Sequence, residues 1–241
     1  MQAKTKAFIR RLHKWLGLAV GVQVMLWMLS GVYMSLVPIE TVRGRDMASA
    51  GVPHLSELPN TLFHVEQLLK KHALSTPNKV ELVKWQHSWV YRWFGDDQAL
   101  MFDAQNGELL SPLTSESIKA IALADYAGEG QLIHTVLLTE LPWEVASRAK
   151  PLWQATFDDL RGTRLYIDPD LGTVVARRNT QWRIFDLLWR LHIMDYTEGE
   201  DFNNPLLISF ALTSLLFAFS GLMLVVISFH RRNFGLKPRV R

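Results

Sequence analysis

The chain has 241 residues, 49% of them hydrophobic, and carries a net charge of +3. It has no cysteine, which excludes disulfides, a thiolate nucleophile, Cys-ligated zinc and an iron–sulfur cluster in this chain. The basic balance is not a nucleic-acid signature, because no basic patch with interleaved aromatics stands out in the large middle region.

Residues 1–14 read as a basic, helical lead-in ending in Arg10-Arg11-Leu12-His13-Lys14. Trp15 to Val37 follows, 23 residues without a charge, and a second uncharged run of 24 residues spans Leu206 to Phe229. As helices each reaches roughly 35 Å, enough to cross a ~30 Å hydrocarbon layer with some tilt. All 23 acidic residues lie between Pro38 and Pro205, a segment with a net charge of −7. Ten Lys and Arg flank the two runs on their outer sides: Lys4, Lys6, Arg10, Arg11 and Lys14 before the first, and Arg231, Arg232, Lys237, Arg239 and Arg241 after the second. Positive flanks stay in the cytoplasm. The expected topology has both termini cytoplasmic and residues 38–205 periplasmic, in a bacterial inner membrane. The first run is expected to be an uncleaved anchor. Its apolar core exceeds the roughly 7–15 residues of a signal peptide, and no small-x-small site follows Val37. Across its start, His13, Gly17 and Gly21 are four apart in turn and share a helix face. Gly17-Leu-Ala-Val-Gly21 is a small-xxx-small pattern that lets backbones approach. Such a face suits a flat macrocycle and a helix–helix contact equally well. Gln23, Ser30 and Gly31 interrupt the run further on.

Residues 38–60, with Pro38, Pro53 and Pro59, read as an irregular linker. An amphipathic helix is expected over Asn60–Ala73, then strands at Lys79–Trp85, Ser88–Phe94 and Gln98–Asp103, rich in Val, Trp, Tyr and Phe. A turn at Ala104-Gln-Asn-Gly107 leads to a further helix over Thr114–Tyr126, N-capped by Thr114 or Ser115. The chain then echoes itself. Met101-Phe-Asp-Ala-Gln-Asn-Gly-Glu-Leu-Leu110 matches Tyr166-Ile-Asp-Pro-Asp-Leu-Gly-Thr-Val-Val175, 65 residues on, and each follows an Asp-Asp pair, Asp96-Asp97 and Asp158-Asp159. Two copies of one helix-plus-hairpin unit are the economical reading. The shared Asp and Gly are hairpin-turn chemistry: Asp caps its own turn and Gly takes positive φ. Too few carboxylates follow each Asp for a calcium loop.

Gln181 to Leu206 joins this region to the second apolar run. It begins as a helix with a charged stripe, Arg183, Asp186 and Arg190, whose opposite charges can pair at i+3 and i+4. His192 falls about half a turn away, among Phe185, Leu188 and Trp189. The acids Glu198, Glu200 and Asp201 follow, in a loop where they are expected to stay solvated.

The duplicated helix and hairpin with its Asp-x-x-x-Gly turn resembles the PepSY module. Arg10-Arg-Leu-His-Lys-Trp-Leu-Gly-Leu18 before the first run, and Trp189-Arg-Leu-His-Ile-Met-Asp-Tyr196 with Phe202-Asn-Asn-Pro-Leu206 before the last, are similar to PepSY-associated transmembrane proteins. The resemblance covers nearly the whole chain. It implies an α+β membrane protein in which two transmembrane helices flank an extracytoplasmic region of two PepSY-like helix-plus-antiparallel-hairpin units. The corresponding segments are 1–37, a linker at 38–60, units at 61–127 and 128–180, a membrane-surface helix and loop at 181–205, and 206–241. Some longer relatives, with four membrane helices, are haem-containing inner-membrane reductases linked to ferric siderophore uptake, and others are fused to flavodoxin-like modules. This chain departs from both, with two membrane helices and no nucleotide-binding Gly-rich loop.

The resemblance implies haem b and electron transfer, and the residues that would bind it are the membrane-edge histidines His13, His192 and His230. A b-type haem needs neutral imidazoles, an aromatic setting and an acceptor that fixes the tautomer. His13 and His192 are on opposite sides by the topology above. Either His230 pairs with His13 within the chain, or a homodimer pairs each histidine with its own copy and stacks two haems across the bilayer. In the bland alternative His13 and His230 are interfacial residues among arginines, and His192 bonds Asp195 or a backbone carbonyl. His54, His64, His72, His87 and His134 show no metal-ligand spacing. No Gly-x-Ser-x-Gly occurs and no Ser/His/Asp set follows from spacing, so no catalytic residue is singled out. The alternatives to a haem protein are a membrane-anchored interaction module that restrains a peptidase, with Trp89–Phe94 offering sticky edges or faces, and a cofactor-free accessory subunit of a larger reductase complex.

Overall fold

A computed structural model describes residues 3–49, 59, 61–86, 88–148, 151–197 and 199–228. His54, His87, Glu198, His230 and the basic tail from Arg231 lie outside the described residues. The helices are α1 (Ala3–Leu36), α2 (Ile39–Val42), α3 (Val65–Lys71), α4 (Ser115–Asp125), α5 (Thr180–Ile193) and α6 (Pro205–Ser228). The strands are β1 (Lys79–Trp85), β2 (Ser88–Phe94), β3 (Ala99–Asp103), β4 (Leu132–Leu138), β5 (Leu152–Phe157), β6 (Arg164–Ile167) and β7 (Val174–Arg178). The architecture is α+β, with two antiparallel sheets ordered β1-β2-β3 and β4-β5-β6-β7. The chain divides into two compact units, Ile39–Arg183 and Met1–Pro38 with Ile184–Arg241.

In the unit Ile39–Arg183 a helix precedes each sheet, and the same turn closes both copies of the repeat. Asp103 Oδ1 accepts from the N–H groups of Gln105 and Asn106, and Asp168 Oδ1 accepts from those of Asp170 and Leu171. Gly107 and Gly172 then take φ +68° and +59°, a region open to glycine because it lacks Cβ. In the first copy the returning strand is reduced to one bridge, Phe102 with Leu109; in the second it becomes β7. β2 and β3 of the first sheet bury side chains on both faces. Side chains alternate along a strand, so Val90 and Met101 enter one cluster with Ile118, Ala155, Phe157 and Leu165. Trp89, Tyr91, Trp93 and Phe102 enter another with Leu68 of α3. β2 is therefore a central, buried strand, and the expected sticky edge at Trp89–Phe94 is corrected on that ground.

Local expectations are adjusted in three places. The helix expected over 60–73 is confined to Val65–Lys71, because the Phe63 N–H bonds the Ala104 carbonyl from extended chain and Ala73 turns to φ +52°. Thr114, not Ser115, caps α4, its hydroxyl accepting from the Ser117 N–H at 3.3 Å. The described part of the expected linker is held: Val42 is buried, and Asn179 Nδ2 donates to the Thr41 carbonyl at 2.9 Å.

In the other unit, α1 packs on α6 in antiparallel fashion, with His13 near the start of α1 beside Ser220 near the end of α6. Both helices are long and apolar enough to cross a membrane. Their outer faces are uncovered: Leu18 is 72% exposed and Val226 67%. Three polar side chains turn inward instead: Gln23, Ser30 and Ser220 are buried.

Candidate functional site

His13 lies against α6. Its ring stacks on Phe217 at 4.4 Å between centroids and 8° between planes. Nδ1 is 2.8 Å from Ser220 Oγ, and that hydroxyl also donates to the Phe217 carbonyl at 2.7 Å. Two glycines make room. A Cβ on Gly221 would stand 3.1 Å from His13 Cε1, and one on Gly17 would stand 2.9 Å from the edge of Phe217. The Gly17 end of the expected bare face is thus covered by Phe217 from within the chain, while nothing lies within 4 Å of a Cβ on Gly21.

His192 sits in the last turn of α5, and its partners come from α1. Nδ1 is 2.8 Å from Ser30 Oγ, which also donates to the Leu26 carbonyl at 2.8 Å. The Trp27 ring is 6.3 Å away, tilted by 45°. His192 does not bond Asp195, because that carboxylate is taken up by the loop. It accepts from the Thr197 hydroxyl and from the N–H groups of Thr197, Gly199, Glu200 and Asp201. Those bonds, led by the Thr197 hydroxyl, hold its carboxyl far below the usual aspartate range. Two of the loop acids, Glu200 and Asp201, are thereby fixed through their backbones.

A helix leaves its last carbonyls without partners. At the end of α5 three of them are met by side chains: Gln23 Nε2 on Leu191 O, Trp27 Nε1 on His192 O, and Asn204 Nδ2 on Ile193 O. The charged stripe is split. Arg190 pairs with Asp186 at 2.7 Å, but Arg183 turns to Glu144 at 2.9 Å. Neither imidazole ring makes a further hydrogen bond with the described residues, so Nε2 of each has no partner there. His13 and His192 are both part-exposed.

The remaining polar clusters are committed to structure. Glu144, 3% exposed, accepts from Tyr166 Oη, Arg164 and Arg183. Burial opposes its charge, but the bonds from Tyr166 and Arg183 prevail and hold its carboxyl below the usual range. Burial and the same contact push the Tyr166 phenol up. The Asp158-Asp159 pair fastens a turn: Asp158 accepts from the Gln131 N–H, and Asp159 from Thr163 and Tyr126. His72 Nε2 meets the Gly107 carbonyl at 2.8 Å, a packing role. Among the described residues no group of three His, Asp or Glu could hold a bare metal ion.

Sequence reasoning singled out His13 and His192 but not the serines and the tryptophan that hold them. The available signal was polarity: a Ser or Gln inside an uncharged apolar run needs a partner. Which partner follows only from how the helices pair. No protein-family model matches the chain, and no curated protein or solved structure is significantly similar to it.

Proposed function

We propose that this is a PepSY-type membrane protein that binds haem b through His13 and His192 and takes part in transmembrane electron transfer, with a ferric complex such as a ferric siderophore as acceptor. One observation carries the reading. Toward each end of α1 stands a histidine, His13 on α1 itself and His192 on α5, each flanked by an aromatic ring, each with Nδ1 held by a buried serine and Nε2 left without a partner among the described residues. That donor set fits a haem iron, which asks for one imidazole nitrogen and for the other to be anchored. Bound haem supplies one-electron redox chemistry. The chain's own part is to bind and orient it. Ser30 is 17 residues beyond His13 on α1, roughly 25 Å along the axis, so one chain does not bring both histidines to one iron. A second ligand at each site would come from a second copy of the chain or, at the His13 end, from His230.

Membrane insertion belongs to the same reading. Two helices with long uncharged stretches and bare apolar outer faces call for lipid, and the flanking Lys and Arg orient both termini to the cytoplasm of a bacterial inner membrane, with residues 38–205 periplasmic.

The test is colour. Purified in detergent from cells supplied with haem, the protein is expected to show a Soret band that sharpens and shifts on dithionite reduction. His13→Ala and His192→Ala are each expected to remove part of it. A colourless wild-type protein overturns the reading.

A second reading has its own observation. β4 is an edge strand whose Ile133, Val136 and Leu137 are exposed. Such an edge suits a membrane-anchored interaction module that binds a partner strand, including one that restrains a peptidase. Capture of a peptide by β4 in a colourless protein would favour it.

A further inference from the structure

We infer that Ser30 and Ser220 are positioning residues that fix His192 and His13 in the Nδ1–H tautomer and so turn Nε2 into the ligand nitrogen. The inference deepens the haem reading and rests on it for the identity of the ligand, though not for the tautomer.

The argument is a count of protons. A serine hydroxyl carries one hydrogen and can accept as well. Ser30 Oγ has three oxygen or nitrogen neighbours: the Leu26 carbonyl at 2.8 Å, the Trp27 carbonyl at 3.1 Å and His192 Nδ1 at 2.8 Å. A carbonyl oxygen only accepts. If the serine hydrogen were given to the imidazole, two oxygens would face each other at hydrogen-bond distance with no proton between them. Given to the carbonyl, it makes the usual back-bond of a serine in a membrane-type helix, and the hydroxyl oxygen is left as acceptor. Nδ1 must then be the donor. Ser220 repeats the pattern at the other end. Its hydroxyl donates to the Phe217 carbonyl at 2.7 Å, and His13 Nδ1 stands 2.8 Å away.

Both serines are nearly inaccessible, 1% and 5% exposed, so water does not offer the hydroxyl a competing partner. In a neutral imidazole with the proton on Nδ1, the in-plane lone pair is on Nε2. Free histidine divides between two tautomers, and each buried serine removes that choice before any ligand arrives. The two sites share α1 but use it in opposite roles. α1 gives the histidine at one end and the serine at the other, while α6 gives a serine and α5 a histidine. The same pairing formed with the roles reversed and with a different second helix argues against chance packing. A hydrogen bond from Nδ1–H to oxygen also adds electron density to the ring, which favours ferric over ferrous iron once Nε2 is bound.

The test begins without haem. With nitrogen-15-labelled histidine in the full-length apo protein at alkaline pH, the imidazole nitrogen shifts report which nitrogen carries the proton. The expected result is Nδ1–H at His13 and His192 in the wild type. Ser30→Ala should move His192 alone toward the Nε2–H form, and Ser220→Ala should move His13 alone; Ser30→Thr and Ser220→Thr should restore each. In haem-loaded protein each alanine variant should shift a midpoint potential upward, and each threonine variant should return it. An Nε2–H ring in the wild type overturns the inference, as does an alanine variant that leaves both tautomer and potential unmoved. A colourless protein with Nδ1–H rings would remove the haem reading and leave the tautomer assignment standing.

Discussion

Trp27 donates its indole Nε1–H to the main-chain carbonyl of His192 at 2.7 Å. The bond does two things at once. It satisfies one of the carbonyls that end α5, and it fixes the backbone of the residue whose imidazole faces Ser30. Trp27→Phe keeps the ring and removes the donor. It is expected to destabilise the unit by about 1–2 kcal/mol, the usual loss when a part-buried carbonyl is left unpaired. Thermal unfolding in detergent measures it. Gln23→Leu at the neighbouring carbonyl of Leu191 should give a loss of the same order.

The two glycines of α1 should behave differently. Gly17→Ala sets a Cβ 2.9 Å from the Phe217 ring and is expected to cost about 1–3 kcal/mol by overpacking the α1–α6 contact. Gly21→Ala meets nothing within 4 Å and should be neutral or slightly stabilising in the single chain. Unfolding curves at several protein concentrations separate the cases. A Gly21→Ala loss that appears at high protein concentration and shrinks on dilution would mean that a second copy presses on this position.

Glu144 sets an acid limit. Its folded carboxyl titrates below the ordinary value of 4.5, so the unfolded chain binds that proton more readily than the folded one. The stabilisation is complete above the ordinary glutamate range and drains away as pH falls through the lower folded value. Glu144→Gln should flatten the stability profile in that window. At neutral pH it is expected to cost about 2 kcal/mol, less than a fully buried pair, because Arg164 is 42% exposed. Denaturant titrations at acid and neutral pH test both statements.

Asp195 organises the turn from α5 to α6 by accepting backbone N–H groups of Thr197, Gly199, Glu200 and Asp201. Asp195→Asn keeps the shape and removes the charge. Amide hydrogen exchange at Gly199, Glu200 and Asp201 should then quicken, with α1 and α6 unchanged. In the wild type that protection should persist to pH values well below the ordinary aspartate value of 3.8, since the folded carboxyl stays ionised there.

What was legible from sequence was local. Hairpin turns announce themselves because Asp and Gly act within five residues of each other, and both repeats of the Asp-x-x-x-Gly turn form as expected. The two long apolar helices are equally local, since a run without charge needs no partner to be recognised. Strand order was not legible. Trp89, Tyr91 and Trp93 look the same in a sequence whether they line an edge or a middle strand, and the pairing of β2 on both sides decides it. The same holds at the histidines. Arg183 was free to meet Asp186 three residues along the helix, yet Glu144 in a separate segment took it. Ser30 and His192 are 162 residues apart, and no spacing rule links them.

One helix carries the imidazole of the first site and the serine of the second. A twist of α1 by one residue, ~100°, would pull His13 from Ser220 and Ser30 from His192 in the same stroke. The two ends therefore work like grips on a single rod: neither can be loosened by turning α1 while the other holds, and a torque applied at one end is felt as a lost proton acceptor at the other.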